Sequence, residues 1–384
     1  PQDVLVCAGA AQHPAGASMM VGSAGASRSG SGIFAKVSGT RKVDNLSSGA
    51  TTATAAPTTV RSRGIPEQYK AILQQILVVA VLILLSVFFT IMKPAFADWS
   101  NLSSLLLASV VTGVQALGLS FVIATGGIDL TPGLGMAATS VFAGVLIAKS
   151  GGFGLPMWVG VLGGLAAGAL LGLINGVLVA YIKMQPMIAT LAMMMVCWGA
   201  ALVMAGGKNI SLRNVEGYSG IAVGEIIPGV YNSILILILL AVIAGVLMNH
   251  TVVGRYSLSI GSNEEATRIS GVDTHRWKVL AYVICGLFTG ISGILMSSRL
   301  SAAQPTLGQG YEMYAIAAAV IGGTSLRGGR ASIFGAVIGA VTIQTIFNGL
   351  TIMGVQDQWQ KVVLGVVVLI AVVVDIVRRG GKEE

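Results

Sequence analysis

The chain has 384 residues, of which 54% are hydrophobic and 10% charged, against roughly 25% charged in ordinary soluble domains. That balance, with 52 glycines, excludes a soluble globular protein and fits a polytopic membrane protein. A net charge of +8 would suggest a nucleic-acid partner in a soluble domain, but here the basic residues sit at the ends of apolar segments, where they mark the cytoplasmic side. Three cysteines, Cys7, Cys197 and Cys285, are too scattered to suggest a disulfide framework or a metal site.

Residues 1–66 are rich in Ala, Gly, Ser and Thr with little periodicity. They read as a disordered, low-complexity cytoplasmic tail. Because the sequence does not open on Met, and Met19 and Met20 lie inside this stretch, the tail is of doubtful authenticity and we assign it no function. The second predicted domain, 67–384, is the membrane domain. Residues 71–92 form an apolar run long enough to span a bilayer. Ala95-Phe96-Ala97 just beyond it resembles a signal-peptidase site, but a signal core is only about 7–15 residues, so this is a retained first helix.

Further apolar segments follow at 102–124, 128–148, 156–182, 186–205, 231–249, 277–298, 313–323, 332–351 and 358–377. The one at 313–323 is too short to span as a helix. With ten crossings and a cytoplasmic N-terminus, the inside loops carry Lys183, Arg255, Arg268, Arg276, Lys278, Arg327, Arg330, Arg378, Arg379 and Lys382. Lys93, Lys149, Lys208, Arg213, Arg299 and Lys361 fall outside. Treating 313–323 as re-entrant would reverse that bias. The expected fold is therefore all-α and polytopic, with about ten transmembrane segments including broken or half helices and both termini cytoplasmic. Segment 313–323 then crosses partly as extended backbone.

Two Gly-rich breaks interrupt the apolar segments: 126–133, GGIDLTPG, and 322–329, GGTSLRGG. Irregular backbone at membrane depth is tolerated only where protein buries it or where it lines a cavity. The shared G-G-x-x-L-x-x-G pattern hints at a duplicated architecture of the kind many transporters have. Asp129 is the ionisable residue to watch, with a helix cap ahead of Thr131-Pro132 as its simpler role. Glu312, Asp357, Lys361 and Asp375 also fall near segment ends, and no carboxylate sits mid-helix. That counts against an ion-coupled carrier. The remaining polar groups are neutral, among them Gln115, Asn175, Gln185, Thr342, Gln344, Thr345 and Asn348. Amides and hydroxyls suit a polyhydroxylated solute, and equally serve as glue between helices. Glycines at 160, 164, 168, 172 and 176, and at 335 and 339, let helix backbones approach closely. Packing within one subunit is the favoured reading of that spacing.

The largest internal loop, 250–276, holds the most charged interior run, GRYSLSIGSNEEATRISGV at 254–272. Ser262-Asn263-Glu264-Glu265 reads as a capping box, the Ser262 side chain accepting from the Glu265 amide and the Glu265 carboxylate reaching back. Gly271 supplies a left-handed stop. The result is about two turns of helix, with Ala266 and Ile269 on one face and Asn263, Glu264, Thr267 and Arg268 around the rest. A helix so short is marginal alone in water and needs a docking partner. The sequence carries no phosphate-binding loop, zinc-protease or nucleophile-elbow motif, so no catalytic residue and no metal ligand is predicted.

These motifs are specific in combination. Thr125-Gly126-Gly127-Ile128-Asp129-Leu130, Gly172-Leu173-Ile174-Asn175-Gly176, Gln185-Pro186-Met187-Ile188-Ala189-Thr190-Leu191, Gly254-Arg255-Tyr256, the run from Gly261 to Val272, Leu300-Ser301-Ala302-Ala303-Gln304-Pro305-Thr306 and Ile321-Gly322-Gly323-Thr324-Ser325-Leu326 resemble permease subunits of bacterial ABC importers of the ribose/xylose/arabinose/galactose class. The ribose-type branch fits best, and the resemblance covers about residues 71–377. Ser262 replaces the usual second Gly of its loop, and Thr131-Pro132 the usual Ser-Val.

The resemblance implies a multi-pass subunit of the bacterial inner membrane, without ATPase activity or cofactor of its own. Its expected partners are an ABC ATPase that binds ATP and Mg, a periplasmic sugar-binding protein, a second copy of the permease, the sugar and the lipid membrane, with no nucleic acid. It implies an ATPase-coupling element of Gly254, Arg255, Ser262, Asn263, Glu264, Glu265, Ala266, Arg268, Ile269 and Gly271, with Glu264, Ala266 and Ile269 in contact and Arg268 at the rim. It also implies a translocation path flanked by Gly126, Gly127, Asp129, Asn175, Gly322, Gly323, Thr324 and Ser325. Other small polar solutes, such as a nucleoside or a signalling furanone, remain open, as does an ion-coupled carrier. A branched-chain amino acid fits least well, because no basic group lies mid-membrane to meet its carboxylate.

Overall fold

The computed structural model describes the backbone of residues 67–380 and the side chains of 75–370, 372 and 373. The predicted tail at 1–66, with Cys7 and His13, and the basic side chains at 378, 379 and 382 lie outside the described residues. Each of the ten predicted segments coincides with one helix: α1 (Glu67–Met92), α2 (Trp99–Ala124), α3 (Pro132–Ile147), α4 (Met157–Ala180), α5 (Pro186–Met204), α7 (Asn232–His250), α10 (Thr274–Leu300), α11 (Tyr311–Ile321), α12 (Ile333–Ile352) and α13 (Asp357–Gly380). Between them lie a short external helix, α6 (Gly220–Val223), and two helices in the large internal loop, α8 (Val252–Ser262) and α9 (Glu264–Ile269). The one sheet among the described residues is a two-residue antiparallel pair, Ile210–Ser211 (β1) with Ala302–Ala303 (β2). Among the described residues, seven helices are long and apolar enough to cross a membrane. The chain is an all-α polytopic membrane protein.

Proline sets several of the helix starts, at Pro132 and Pro186, where its missing N–H costs nothing. α2 is the central post, buried on every side from Ser109 to Ala124, with α7, α10, α11 and α12 around it. The outer helices instead turn large apolar side chains outward, such as Leu84 and Ile91 of α1 and Val203 of α5. That inversion of the soluble pattern is what a hydrocarbon solvent demands.

The glycine spacing of α4 is an internal seam. A Cβ on Gly168 would overlap the Gly286 carbonyl of α10, and one on Gly286 would overlap the Gly168 carbonyl. Gly172 meets the Tyr282 backbone, and Gly176 would place a Cβ 2.8 Å from Val279 Cα. Gly339 does the same for α12 against Ala318 of α11. Because the opposing atoms are backbone, a side chain has nowhere to go. Gly168→Val should therefore destabilise the protein by about 3 kcal/mol or more, at the upper end of overpacking costs. A lowered melting midpoint of the detergent-purified protein, against an unchanged Gly199→Ala whose Cβ meets open space, checks this.

α3, of 16 residues, and α11, of 11, reach only about 24 and 16 Å, short of the roughly 30 Å hydrocarbon core. The missing length of the α11 crossing is supplied on its outer side. Ala303 packs against Gly144 near the far end of α3, whereas Gly308 and Glu312 pack against Gly133 at its start. Residues 303–310 thus run along α3 as non-helical backbone, with Ala303, Pro305 and Gly308 buried and Thr306 and Gln309 exposed, before α11 begins. Segment 313–323 therefore does not itself include extended backbone: it is helical through Ile321, and the non-helical stretch lies before it, as turns at 305–310.

Candidate functional site

The 250–276 loop contains two helices where the sequence suggested one. Thr251 caps α8 by accepting from Val253 N at 3.2 Å, and Gly254 lets α8 fold back, since a Cβ there would overlap the Met248 carbonyl. Gly254, Ser257 and Ile260 form the buried face of α8, while Arg255 is exposed. Tyr256 packs on Trp277 of α10 with ring centroids 4.8 Å apart.

α8 runs through Ser262, so the cap of α9 falls one residue later than the sequence suggested. Asn263 takes the extended conformation and accepts from Ala266 N at 2.9 Å, as the preferred N-cap residues do. Ser262 is spent as the last residue of the preceding helix, and the capping box does not form. Glu265 instead receives Arg268 at 2.7 Å. Gly271 does adopt the left-handed stop, at φ +86°. Thr267 is the inward-facing residue of α9, while Glu264, Glu265, Ala266, Arg268 and Ile269 all face outward, Ile269 with 78% exposure. Glu264 is also used within the chain: its carboxylate accepts from Lys278 Nζ of α10 at 2.6 Å.

The two Gly-rich breaks meet at this same end of the bundle. Both leave their helices by the same hydrogen-bond pattern, Gly126 N to Ile123 O with Gly127 N to Val122 O, and Gly323 N to Val320 O with Thr324 N to Ala319 O. The left-handed residue is Gly126 in one and Gly323 in the other. The shared sequence pattern is thus offset by one residue from the shared geometry. Gly322 is needed for a different reason, its close approach to the Gly335 backbone of α12.

Asp129 and Asn175, far apart in sequence, share one buried cluster. Asp129 Oδ1 accepts from Thr131 N at 2.9 Å, Asn175 Nδ2 donates to Thr131 Oγ1 at 2.7 Å, and Leu130 N donates to Thr190 Oγ1 at 3.1 Å. The carboxylate therefore holds the turn ahead of α3, and it does not cap the helix itself, whose N-cap residue is Thr131. Thr324 and Ser325 are bonded within the second break, accepting from Ser332 N at 3.2 Å and Arg327 N at 3.3 Å. In a single chain these path candidates are covered by protein, except Gly126, which is exposed, and Gly323, half-buried.

Of the neutral polar residues, Asn348 and Asn101 exchange amide hydrogen bonds at 2.8 and 3.0 Å, and Gln344 donates to Thr112. They tie helices together. Glu312, taken from sequence as a segment-end residue, is buried beside Gly133 and accepts from Gly310 N at 3.1 Å, closing the first turn of α11. A cavity of about 360 Å³ between α3, α4 and α5 is lined by Phe142, Leu170, Val196 and Met204 with little that is polar, and so does not suit a hydroxyl-rich solute. At the opposite end the 206–231 loop is fixed to α10. Tyr218 OH bonds Ser297 Oγ at 2.7 Å and Ser298 Oγ donates to Tyr218 O at 2.6 Å. Burial pushes the Tyr218 hydroxyl up to about 12, so it stays neutral there. Among the described residues no three His, Cys, Asp or Glu side chains come together.

Residues 101–372 match the family described as the permease component of branched-chain amino acid transport systems. Among curated proteins, the ribose import permease of Escherichia coli is 37% identical over 307 residues, 79% of this chain and 94% of that one. The ribose import permease of Bacillus subtilis is 40% identical over 295 residues, 77% and 90% of the two chains. The L-arabinose transport system permease of E. coli is 34% identical over 338 residues, 88% and 99%. No solved structure matches.

Proposed function

The chain belongs to the permease-component family of binding-protein-dependent transport systems, and from that premise we propose that it carries a monosaccharide, ribose or a related pentose or hexose, as the membrane-spanning subunit of an ATP-driven importer. It is a multi-pass permease of the inner membrane. The observation that carries the sugar reading is the match to ribose and arabinose permeases across nearly their whole length. The branched-chain amino acid of the family description fits the chemistry less well. Among the described residues the buried Asp, Glu, Lys and Arg side chains are Asp129 and Glu312, so a solute carboxylate would find no buried basic partner.

An ABC ATPase and a binding protein complete the importer, the ATPase seated on the outward face of α9 around Ala266 and Ile269. Two permease copies pair around the path, which the breaks at 126–133 and 322–329 gate from the ATPase side. ATP and Mg belong to the ATPase. The apolar outer faces leave room for both lipid and the second copy.

Proteoliposomes holding the permease with its ATPase and binding protein test this with radiolabelled ribose, arabinose and leucine. Ribose or arabinose should accumulate only when ATP and both partners are present. Accumulation by the permease alone would point to a self-contained carrier, and selective leucine uptake would replace the sugar.

A further inference from the structure

We infer that Gly126, Gly261 and the Gly328–Gly329 pair form a rigid backbone joint through which α8 and α9 drive both chain breaks at once. The inference rests on the coupling role proposed above for α9 and assigns the residues that would transmit its movement. Three segments remote in sequence meet here without intervening side chains. A Cβ on Gly328 would lie 2.8 Å from both Gly126 N and Gly261 Cα, and 2.9 Å from Gly126 Cα. One on Gly261 would overlap the Ala124 carbonyl and the Gly329 amide. Gly329 closes the set: its N–H donates to Ala124 O at 3.0 Å, and a Cβ on it would lie 2.5 Å from Ser262 Oγ.

The parts on either side of the joint are stiff. Gly261 belongs to the last turn of α8, one residue before its end and two before the Asn263 cap of α9. The second break is closed on itself by Ser325 N to Arg330 O at 3.1 Å and Gly328 N to Ser325 O at 2.9 Å. A contact between side chains can absorb a displacement by changing rotamer, whereas a contact between backbones cannot. Packed interfaces of this kind switch between discrete arrangements instead of deforming continuously. The first break leads into α3 and the second into α12, so one movement of α8 reaches both. Packing alone explains why some of these positions are small. It does not explain why the one helix linked end to end with α9 is pressed, without cushioning, onto both irregular segments.

The test is Gly261→Val in the assembled importer, with Gly261→Ala as a milder step and Ser259→Ala, on the exposed face of α8, as control. A Cβ at Gly261 also costs stability, so every readout is taken per folded molecule, and on that basis we expect Gly261→Val to co-purify with the ATPase as the wild type does. Uptake should fall by about tenfold or more, the range of a lost coupling between sites, and the binding protein should no longer stimulate ATP hydrolysis. Gly261→Ala should show a smaller loss in the same two readouts, and Ser259→Ala none. Uptake by Gly261→Val within about twofold of wild type would overturn the joint, since that lies below the smallest usual coupling. So would loss of the ATPase from both Gly261 variants, because Gly261 would then serve docking and not transmission. A wild-type chain that holds no ATPase would overturn the functional reading first, which keeps the two failures apart.

Discussion

Glu264→Arg should reduce solute uptake to near background while the chain still inserts and accumulates, and adding Lys278→Glu should restore part of the activity. α9 has six residues and is far too short to hold its own shape in water. Its attachments to the bundle are few: the Asn263 cap, the buried Thr267, and the Glu264–Lys278 pair at 2.6 Å. The pair is partly screened, with side-chain exposures of 45% for Glu264 and 19% for Lys278, so its loss costs only about 1 kcal/mol. Reversing the charge adds repulsion against Lys278 on top of that loss. For so weakly anchored a helix, even about 1.4 kcal/mol shifts the docked population tenfold. Restoring the pair in the opposite sense should bring α9 back to α10. If Glu264 instead acted by touching the ATPase directly, Lys278→Glu would rescue nothing. Undiminished uptake by Glu264→Arg alone would remove α9 from the mechanism.

The ten membrane segments were legible because a long apolar run has one physical use, and because Pro132, Pro186 and the paired glycines punctuate those runs. α8 was not. Its buried face is Gly254, Ser257 and Ile260, which shows no apolar stripe, since close backbone approach selects small residues there and not large ones. The cap of α9 was misplaced by one because Ser262 and Asn263 are both good N-cap residues. Only the length of α8, set by its packing, decides between them. Glu312 read as a segment-end carboxylate because sequence distance cannot show that 303–310 runs inward along α3. The link between Asp129 and Asn175 passes through Thr131 and depends on the tertiary packing of α3 on α4 and α5. No local pattern carries it.

Asp129→Leu should cost both uptake and folded protein, while Asp129→Asn should keep a substantial share of each. Asp129 is 2% exposed, and its Oδ1 is the acceptor for Thr131 N at 2.9 Å. Thr131 in turn holds Asn175 through its hydroxyl at 2.7 Å, so the carboxylate fixes the geometry from which α3 departs. An amide oxygen in the same place can accept the same bond. A leucine cannot, and a buried N–H left without an acceptor costs about 1–3 kcal/mol. Asn keeps both the size of Asp and an acceptor oxygen, whereas Leu has the same branched outline but a larger volume, so its cost adds crowding to the lost hydrogen bond. Melting midpoints in detergent should rank wild type, then Asn, then Leu, by a few degrees per step. Uptake per folded molecule decides what else Asp129 does. If it serves only to hold the turn ahead of α3, the Asn variant transports normally once corrected for the amount folded. If it also contacts the solute, the Asn variant loses turnover without losing stability. The hydrogen bond to Thr131 N and the full burial favour the first outcome, and equal uptake by the Asn and Leu variants would deny Asp129 any polar role.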